Sequence, residues 1–336
     1  MTTPAVDHFI PNFCLDSGKR VPRLRVRYTT HGSLNSDKSN AVLFPTWFGA
    51  THTANEWIIG PGRSLDTQRY FVIVVNALGN GESSSPSNDE ALREADQPVE
   101  ISLFDNVRAQ LDLVQHLGIG RLHAVIGRSM GAQQALQWGC LYPDRMGRII
   151  AFCGTPRTTS HNQLLLDAMD EAINSQAAAG VDSQPGVRRA ARIYASWVLS
   201  HDFFNEGLWG TFGDATPAHW IARVFENAFL NFHPLDLLAL VRTWRNADVS
   251  HNMHFNDGLK AALQSIQVPV LLIPISDDLI FRPADIENFA KFIPRVEIKT
   301  ITSKWGHRAG APGSDSADVD KLETMVSKFL NKPDHQ

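Results

Sequence analysis

The stretch VIGRSMGAQQALQW (residues 125–138) decides the fold that this sequence predicts. It contains the pattern Gly-x-Ser-x-Gly around Ser129, which by itself also occurs by chance in unrelated chains. Its context is more specific, because the strand-like run LHAVIG (122–127) precedes the serine and a helical pattern follows it. Glycines let the backbone turn sharply, and a helix N-terminus favours negative charge nearby. We therefore expect Ser129 to be a nucleophile on a strand-to-helix turn.

The same turn has two other interpretations, a glycine-rich turn that only packs and a loop that cradles phosphate. A phosphate loop would read G-x-x-x-x-G-K-[ST], or G-x-G-x-x-G after the first strand. The sequence has neither pattern. We therefore favour the nucleophile.

Short β-rich apolar runs alternate with helical patterns along most of the chain. Several runs are apolar at successive positions, which is typical of strands buried on both faces of a parallel sheet. The helical pattern SLFDNVRAQLDLVQHLGI (102–119) ends beside a glycine, a common helix stop. We therefore predict an α/β fold with a mostly parallel, doubly wound sheet. The predicted strands are AVLFPTW (41–47), YFVIVVNAL (70–78), LHAVIG (122–127), GRIIAFCG (147–154), VPVLLIPI (268–275) and VEIKTI (296–301).

Residues 155–265 interrupt this alternation. They contain many aromatic residues and helix-like stretches, without clear β-runs. We expect a helical lid (cap) inserted between two strands of the sheet. The core of the fold is then formed by residues 1–154 and 266–336.

A serine nucleophile needs a base and an acid that orients the base, and in this fold they follow in the order serine, acid, histidine. His307 follows the last predicted strand. The loop SDDLIFRP (276–283), after the strand before it, carries Asp277 and Asp278. Spacing does not choose between these two: one is expected to orient the imidazole, and the other to be solvated or to cap the next turn. The other twelve of the 13 histidines lack such a placement.

Two backbone N–H groups are expected to form an oxyanion hole. Met130, the residue after the nucleophile, is expected to supply the first. The second is expected from the loop PTWFGATH (45–52), where Trp47 is the best-placed residue. The alternative is that Trp47 and Phe48 are simply buried aromatic residues, and the two roles are compatible.

Composition excludes several other classes of function. The net charge of −4 and the absence of basic clusters give no sign of a nucleic-acid surface. The longest apolar runs, such as FVIVV (71–75), are too short for a membrane span, and no signal peptide is predicted at MTTPAVDHFIPNF. The three scattered cysteines fit a reducing cytoplasm. No metal is expected, because His251 and His254 form an H-x-x-H without a Cys or acidic partner at metal-ligand spacing. No cofactor is expected either, although a transferase would consume an acyl thioester.

The chain resembles the homoserine O-acetyltransferase branch of the α/β-hydrolase superfamily from about residue 20 to residue 330. The resemblance implies an acyl-enzyme on Ser129, His307 as base, and Asp277 as acid by its position within S-D-x-L. It also implies a helical lid of the kind that often forms a homodimer contact. The matching stretches are IIGPGRSLDTQRYFVIVVNALG (58–79), DNVRAQLDLVQHLGI (105–119), VIGRSMGAQQALQWGCLYPDRM (125–146), SDDLIF (276–281) and WGH (305–307).

The sequence differs from this branch at positions that affect which substrate is bound. Family members that acetylate homoserine have an Asp after the catalytic histidine, whereas this chain has Arg308, a cation where an ammonium group would lie. The family's Gly-Ser-Thr-Gly-Pro loop is replaced by LGNGESSSPSN (78–88), and its elbow Gly-Gly-Ser-Met-Gly-Gly by GRSMGA. In these features the chain resembles esterases that share the scaffold without transacetylase activity. We expect Phe48, Arg128 and Arg308 to contact the substrate.

The sequence therefore predicts a serine carboxylic-ester hydrolase acting on small, acetyl-type esters. The alternative is an O-acyltransferase that passes the acyl group from the same acyl-enzyme to an acceptor other than homoserine. A third hypothesis is a non-catalytic binding protein with this fold. The presence of the serine, the histidine and the aspartate argues against it.

Overall fold

An eight-stranded sheet runs through the computed structural model, which describes residues 4–95, 97–177 and 183–333. The spatial order of its strands is β1-β2-β4-β3-β7-β8-β9-β10, and β5 and β6 form a separate ribbon. β2 pairs antiparallel with β1 and β4, whereas every other pair in the sheet is parallel. The strands are β1 (Val6–Cys14), β2 (Arg20–His31), β3 (Ala41–Pro45), β4 (Phe71–Val75), β5 (Arg93–Glu94), β6 (Gln97–Pro98), β7 (Ala124–Arg128), β8 (Ile149–Phe152), β9 (Val270–Ile273) and β10 (Val296–Ile298).

The six predicted strands are all present, as the parallel part of the sheet. β3, β7, β8 and β9 are buried at every position, as expected for strands covered on both faces. The sequence prediction omitted β1 and β2. In β2 the buried residues Leu24, Val26 and Tyr28 alternate with more exposed ones. This pattern is typical of an antiparallel strand covered on one face and lacks a continuous apolar run.

Helices connect the strands and follow the last one. α1 begins with a capping box formed by Ser102 and Asp105, and Gly118, with a φ of +70°, follows its end. No described helix has both the length and the apolar character needed to cross a membrane. The helices are α1 (Leu103–His116), α2 (Met130–Leu141), α3 (Ser160–Ala177), α4 (Gln184–Val198), α5 (His201–Asn205), α6 (Pro217–Ile221), α7 (Asn227–Leu230), α8 (Pro234–Arg245), α9 (Leu259–Gln264), α10 (Pro283–Ala290) and α11 (Ser316–Leu330).

The insertion between β8 and β9 contains α3 to α9, and its described residues form no strand. It is anchored on the loop after β3, where Phe48 packs against Tyr194, Phe229 and Trp244. The helical content predicted for residues 155–265 is therefore observed, although 178–182 lie outside the described residues. That this segment acts as a lid remains a prediction. The ranges 1–154 and 266–336 contain all the strands, and their residues 1–3, 96 and 334–336 are also outside the description.

Candidate active site

Ser129 lies between β7 and α2 in a strained backbone conformation, with φ +54° and ψ −126°. The glycines on either side make this turn sterically feasible. A Cβ at Gly127 would lie 2.0 Å from the carbonyl oxygen of Gly131, and a Cβ at Gly131 would lie 2.9 Å from that of Pro45. Because such strain persists only where the surroundings enforce it, the turn is built to present one serine at a helix N-terminus.

His307 reaches this serine from a short 3-10 turn, Gly306–Arg308, after β10. Its Nε2 lies 2.9 Å from Ser129 Oγ. Gly306 has a φ of +55°, and a Cβ there would lie 2.8 Å from the backbone of Val198 and of Ser200. A glycine is therefore required before the histidine, where the loop rests on the end of α4.

The acidic partner of His307 is Asp278, and the prediction of Asp277 for this position is wrong. His307 Nδ1 lies 2.7 Å from Asp278 Oδ2. The other oxygen, Asp278 Oδ1, accepts hydrogen bonds from the backbone N–H groups of Ile280 (2.8 Å) and Phe281 (2.9 Å). Asp278 is only 2% exposed, so its charge is removed from water and compensated by these three donors.

A tight turn explains why the second aspartate faces inward. The N–H of Asp278 donates to the carbonyl of Ile275, closing a turn directly after β9. Asp277, within that turn, is half-buried and accepts a hydrogen bond from the Ser276 hydroxyl at 2.9 Å. The pattern that identifies the inward residue is an aspartate whose carboxylate caps the N–H groups two and three positions later.

The carboxylate of Asp278 changes the pKa of His307. Burial disfavours the imidazolium, but the negative charge of Asp278, with a smaller contribution from Cys153, outweighs burial and raises the pKa of His307 to about 9. A raised pKa makes the imidazole a stronger proton acceptor for a serine hydroxyl. It also moves the protonation that blocks this role to higher pH.

Two backbone N–H groups, those of Met130 and Trp47, have no hydrogen-bond acceptor among the described residues. Met130 is the first residue of α2, so its N–H has no partner within the helix. The N–H of Trp47, in the loop after β3, likewise has no acceptor in the part of the chain described. The close approach of Gly131 to Pro45 brings the two segments together. That the N–H groups of Met130 and Trp47 together form an oxyanion hole stays a prediction.

A cavity of about 400 Å³ opens beside His307. The predicted substrate-binding residues Phe48, Arg128 and Arg308 all line it, together with Trp47. Arg128 is only 6% exposed; its Nη2 donates to the carbonyl oxygen of His307 at 2.6 Å, and its guanidinium carbon lies 5.2 Å from the Trp47 ring centroid. The predicted residues are therefore assembled around one space.

Sequence reasoning missed two residues of this site, Tyr194 and Cys153. Tyr194, on α4, lines the cavity, but in the sequence it has only the spacing of a buried helix face. Cys153 follows β8 with a φ of +43° and lies beside the His307–Asp278 pair. The sequence could have identified Cys153 by its place directly after a strand of the parallel sheet, where α/β active sites form.

One set of potential metal ligands occurs among the described residues. The ligand atoms of Cys153, Asp278 and His307 lie within 4.8 Å of one another. The two ring nitrogens of His307 are already engaged with Ser129 and Asp278, so this set is organised for proton transfer. His251 pairs with Asp257, whereas His254 packs against Phe104, so that H-x-x-H pair does not converge on one site.

Comparison with known proteins identifies the family. A family model described as alpha/beta hydrolase fold matches residues 42–310. An ethyl acetate hydrolase from Pseudomonas veronii is 34% identical over 328 residues, covering 95% of this chain and 93% of the relative. A homoserine O-acetyltransferase from Geotalea daltonii is 28% identical over 363 aligned positions, covering 95% and 94%.

A solved structure gives the same result. The acetylester hydrolase from Corynebacterium glutamicum superimposes with a TM-score of 0.92 at 30% identity, over 98% of this chain and 96% of that one. The predicted resemblance, to esterases on the homoserine O-acetyltransferase scaffold, is therefore confirmed. The family match, the sheet topology and the esterase relatives lead to one conclusion: the chain belongs to the α/β-hydrolase family and is an enzyme.

Proposed function

We propose that this enzyme hydrolyses esters of small acyl groups, of the acetyl type, through an acyl-enzyme on Ser129. The observation that carries the proposal is the continuous chain of contacts from Ser129 Oγ through His307 to Asp278. The names of the ethyl acetate hydrolase and acetylester hydrolase relatives support an acetyl ester as the substrate.

Acylation begins when His307 Nε2 accepts the proton of the Ser129 hydroxyl as its oxygen attacks the ester carbonyl carbon. The carbonyl oxygen becomes an oxyanion, held by the N–H groups of Trp47 and Met130. Each such donor contributes about 3 kcal/mol to the transition state in comparable sites. The tetrahedral intermediate collapses when the bond to the alcohol oxygen breaks and His307 returns its proton to that oxygen.

Deacylation repeats these steps with water in place of the serine. His307 takes a proton from the water, whose oxygen attacks the acyl carbon, and the Ser129–acyl bond breaks as His307 protonates Ser129 Oγ. The carboxylic acid leaves. Asp278 retains its charge throughout, fixing the tautomer of the imidazole and stabilising the imidazolium.

The second candidate is an O-acyltransferase, favoured by the homoserine O-acetyltransferase relative at 28% identity. It shares the acylation half and replaces water with an acceptor. Arg308 directly follows His307, at the sequence position where homoserine acetyltransferases have an Asp. Its positive charge would repel the ammonium group of homoserine, so another acceptor would be needed.

The test measures hydrolysis of p-nitrophenyl acetate by the enzyme and by Ser129→Ala, with and without homoserine and other hydroxyl acceptors. We expect steady acetate release to water that acceptors do not change. The variant should lose activity by roughly 10⁴-fold or more while keeping its fold. Acylated acceptor, formed many-fold faster than acetate, would favour the transferase instead, and full activity of Ser129→Ala would refute both candidates.

A further inference from the structure

We propose that the cavity beside His307 binds a carboxylate on the alcohol portion of the ester, through Arg128 and Arg308. This inference rests on the function proposed above and narrows its substrate class to acyl esters of hydroxy acids.

The two arginines reach the cavity from different parts of the chain. Arg128 is the last residue of β7, directly before Ser129, and Arg308 directly follows His307. Both line the same space. Burial, together with the positive charge of Arg128, lowers the pKa of Arg308 to about 10. The two guanidinium groups are therefore close enough for the charge of Arg128 to disfavour that of Arg308.

Neither guanidinium has a carboxylate partner among the residues that the structure describes. Across residues 4–95, 97–177 and 183–333, no acidic oxygen lies within 4.0 Å of either one. Arg128 Nη2 donates to the His307 carbonyl (2.6 Å) and Arg308 Nη2 to the Pro312 carbonyl (3.0 Å). The Nε–H of each is buried, with no acceptor in the described part of the chain. Arg128 is buried and Arg308 is half-buried. A bound anion would compensate their positive charge, since charges removed from water are normally paired.

Tyr194 supplies a third donor to the same space. It lines the cavity, and the part of the chain that is described gives its hydroxyl no hydrogen-bond partner. Burial raises the pKa of Tyr194 to about 12, although Arg128 and Arg308 oppose this rise. The side chain is therefore a neutral phenol at physiological pH, able to donate to an anion near the two cations.

The position of Arg308 relative to His307 assigns the bound anion to the alcohol portion of the ester. His307 returns its proton to the leaving alcohol oxygen, so that portion of the ester lies on the histidine's side of the site. Arg308 extends from the same loop. The remaining walls of the cavity include Phe225 and Phe229, which suit a short carbon chain. The anion is assigned as a carboxylate because this planar, singly charged group matches a guanidinium and costs less to desolvate than a phosphate.

A matched pair of substrates tests this inference. 4-Acetoxybutanoate and 4-acetoxybutanamide have nearly the same shape and differ in charge. We expect kcat/KM to be at least about tenfold higher for the carboxylate. In Arg308→Gln this ratio should fall towards one, whereas in Arg121→Gln, which removes an exposed charge outside the cavity, it should stay as in the wild type. Equal kcat/KM values in the wild type, or an unchanged ratio in Arg308→Gln, would overturn the proposal.

Binding to Ser129→Ala gives a readout that does not depend on turnover. Calorimetry should show tighter binding of 4-acetoxybutanoate than of the amide, and tighter binding than of 2-acetoxyethyl phosphate. Preference for the phosphate would overturn the assignment to a carboxylate, and equal affinity for all three would overturn the anion site.

The two proposals fail in different ways. If p-nitrophenyl acetate hydrolysis depends on Ser129 but the charged and neutral esters have the same kcat/KM, the carboxylate site is refuted. The proposal that the enzyme is a hydrolase is then unaffected. If hydrolysis does not depend on Ser129, the proposed function is wrong, and calorimetry still decides whether the cavity binds a carboxylate.

Discussion

The turn at Ser129 and the loop at Asp278 hold their side chains by different means. At Ser129 the backbone itself is constrained, because Gly127 and Gly131 have no room for a Cβ against neighbouring carbonyl groups. At Asp278 the backbone is an ordinary turn, and the carboxylate is held by the N–H groups of Ile280 and Phe281 and by His307. Damage to the first region should therefore affect folding and activity together, whereas damage to the second should affect chemistry with little effect on folding.

The largest expected effect is that of Gly127→Ala. The added methyl group would lie 2.0 Å from the Gly131 carbonyl oxygen, so β7 and α2 must move apart. We expect the free energy of unfolding to fall by roughly 3 kcal/mol and esterase activity to be lost. Urea unfolding and p-nitrophenyl acetate hydrolysis measure the two effects.

Gly120→Ala is the matched control for this variant, because a Cβ at Gly120 meets nothing within 4 Å. Its stability and activity should remain close to those of the wild type. Wild-type stability and activity in Gly127→Ala would contradict the steric account of the elbow.

The next effect is that of Asp278→Asn on turnover. The asparagine carbonyl can still accept from Ile280 and Phe281, so the loop should persist, but the amide would favour the wrong tautomer of His307. We expect kcat to fall by roughly 10⁴-fold, the loss seen for this change in other serine hydrolases. Steady-state kinetics and circular dichroism measure activity and fold.

Asp277→Asn is the control, because within the described part of the chain that side chain bonds only to the neighbouring Ser276, and it lies partly in solvent. Its kcat should stay within about twofold of the wild type. If Asp277→Asn were the more damaging of the two changes, the assignment of Asp278 as the acid would be wrong.

The smallest expected effect is a shift in pH dependence. Imidazolium cannot accept the serine proton, so kcat/KM should decrease as pH falls through the pKa of His307. Because Asp278 raises that pKa, the decrease should be centred above the ordinary value of 6.5. In Asp278→Asn the residual activity should decrease at a lower pH. The same midpoint in both proteins would show that Asp278 does not set the protonation of His307.

The sequence was most informative where neighbouring residues determine the structure. The strand, glycines and helix around Ser129 are contiguous, so their steric demands can be predicted from one segment. His307 was recognisable by its place after the last strand. In contrast, β2 was missed because its apolar residues alternate with polar ones, and the prediction relied on continuous apolar runs.

The remaining features depend on contacts between distant segments. The choice between Asp277 and Asp278 depends on the direction of a turn relative to the His307 loop, which spacing alone does not contain. Likewise, Arg128 and Arg308 were each expected to touch substrate, but their shared cavity, with Tyr194 beside them, follows only from the three-dimensional arrangement.

The contact between Gly306 and the end of α4 limits how the helical insertion can be exchanged between related enzymes. The histidine loop has no clearance over the backbone of Val198 and Ser200, which belong to the helical insertion. Replacing that insertion with one from a relative would therefore exchange part of the support of His307 as well as several of the residues that line the cavity. A functional chimera would have to inherit the segment that joins α4 to α5 together with the histidine loop that rests on it.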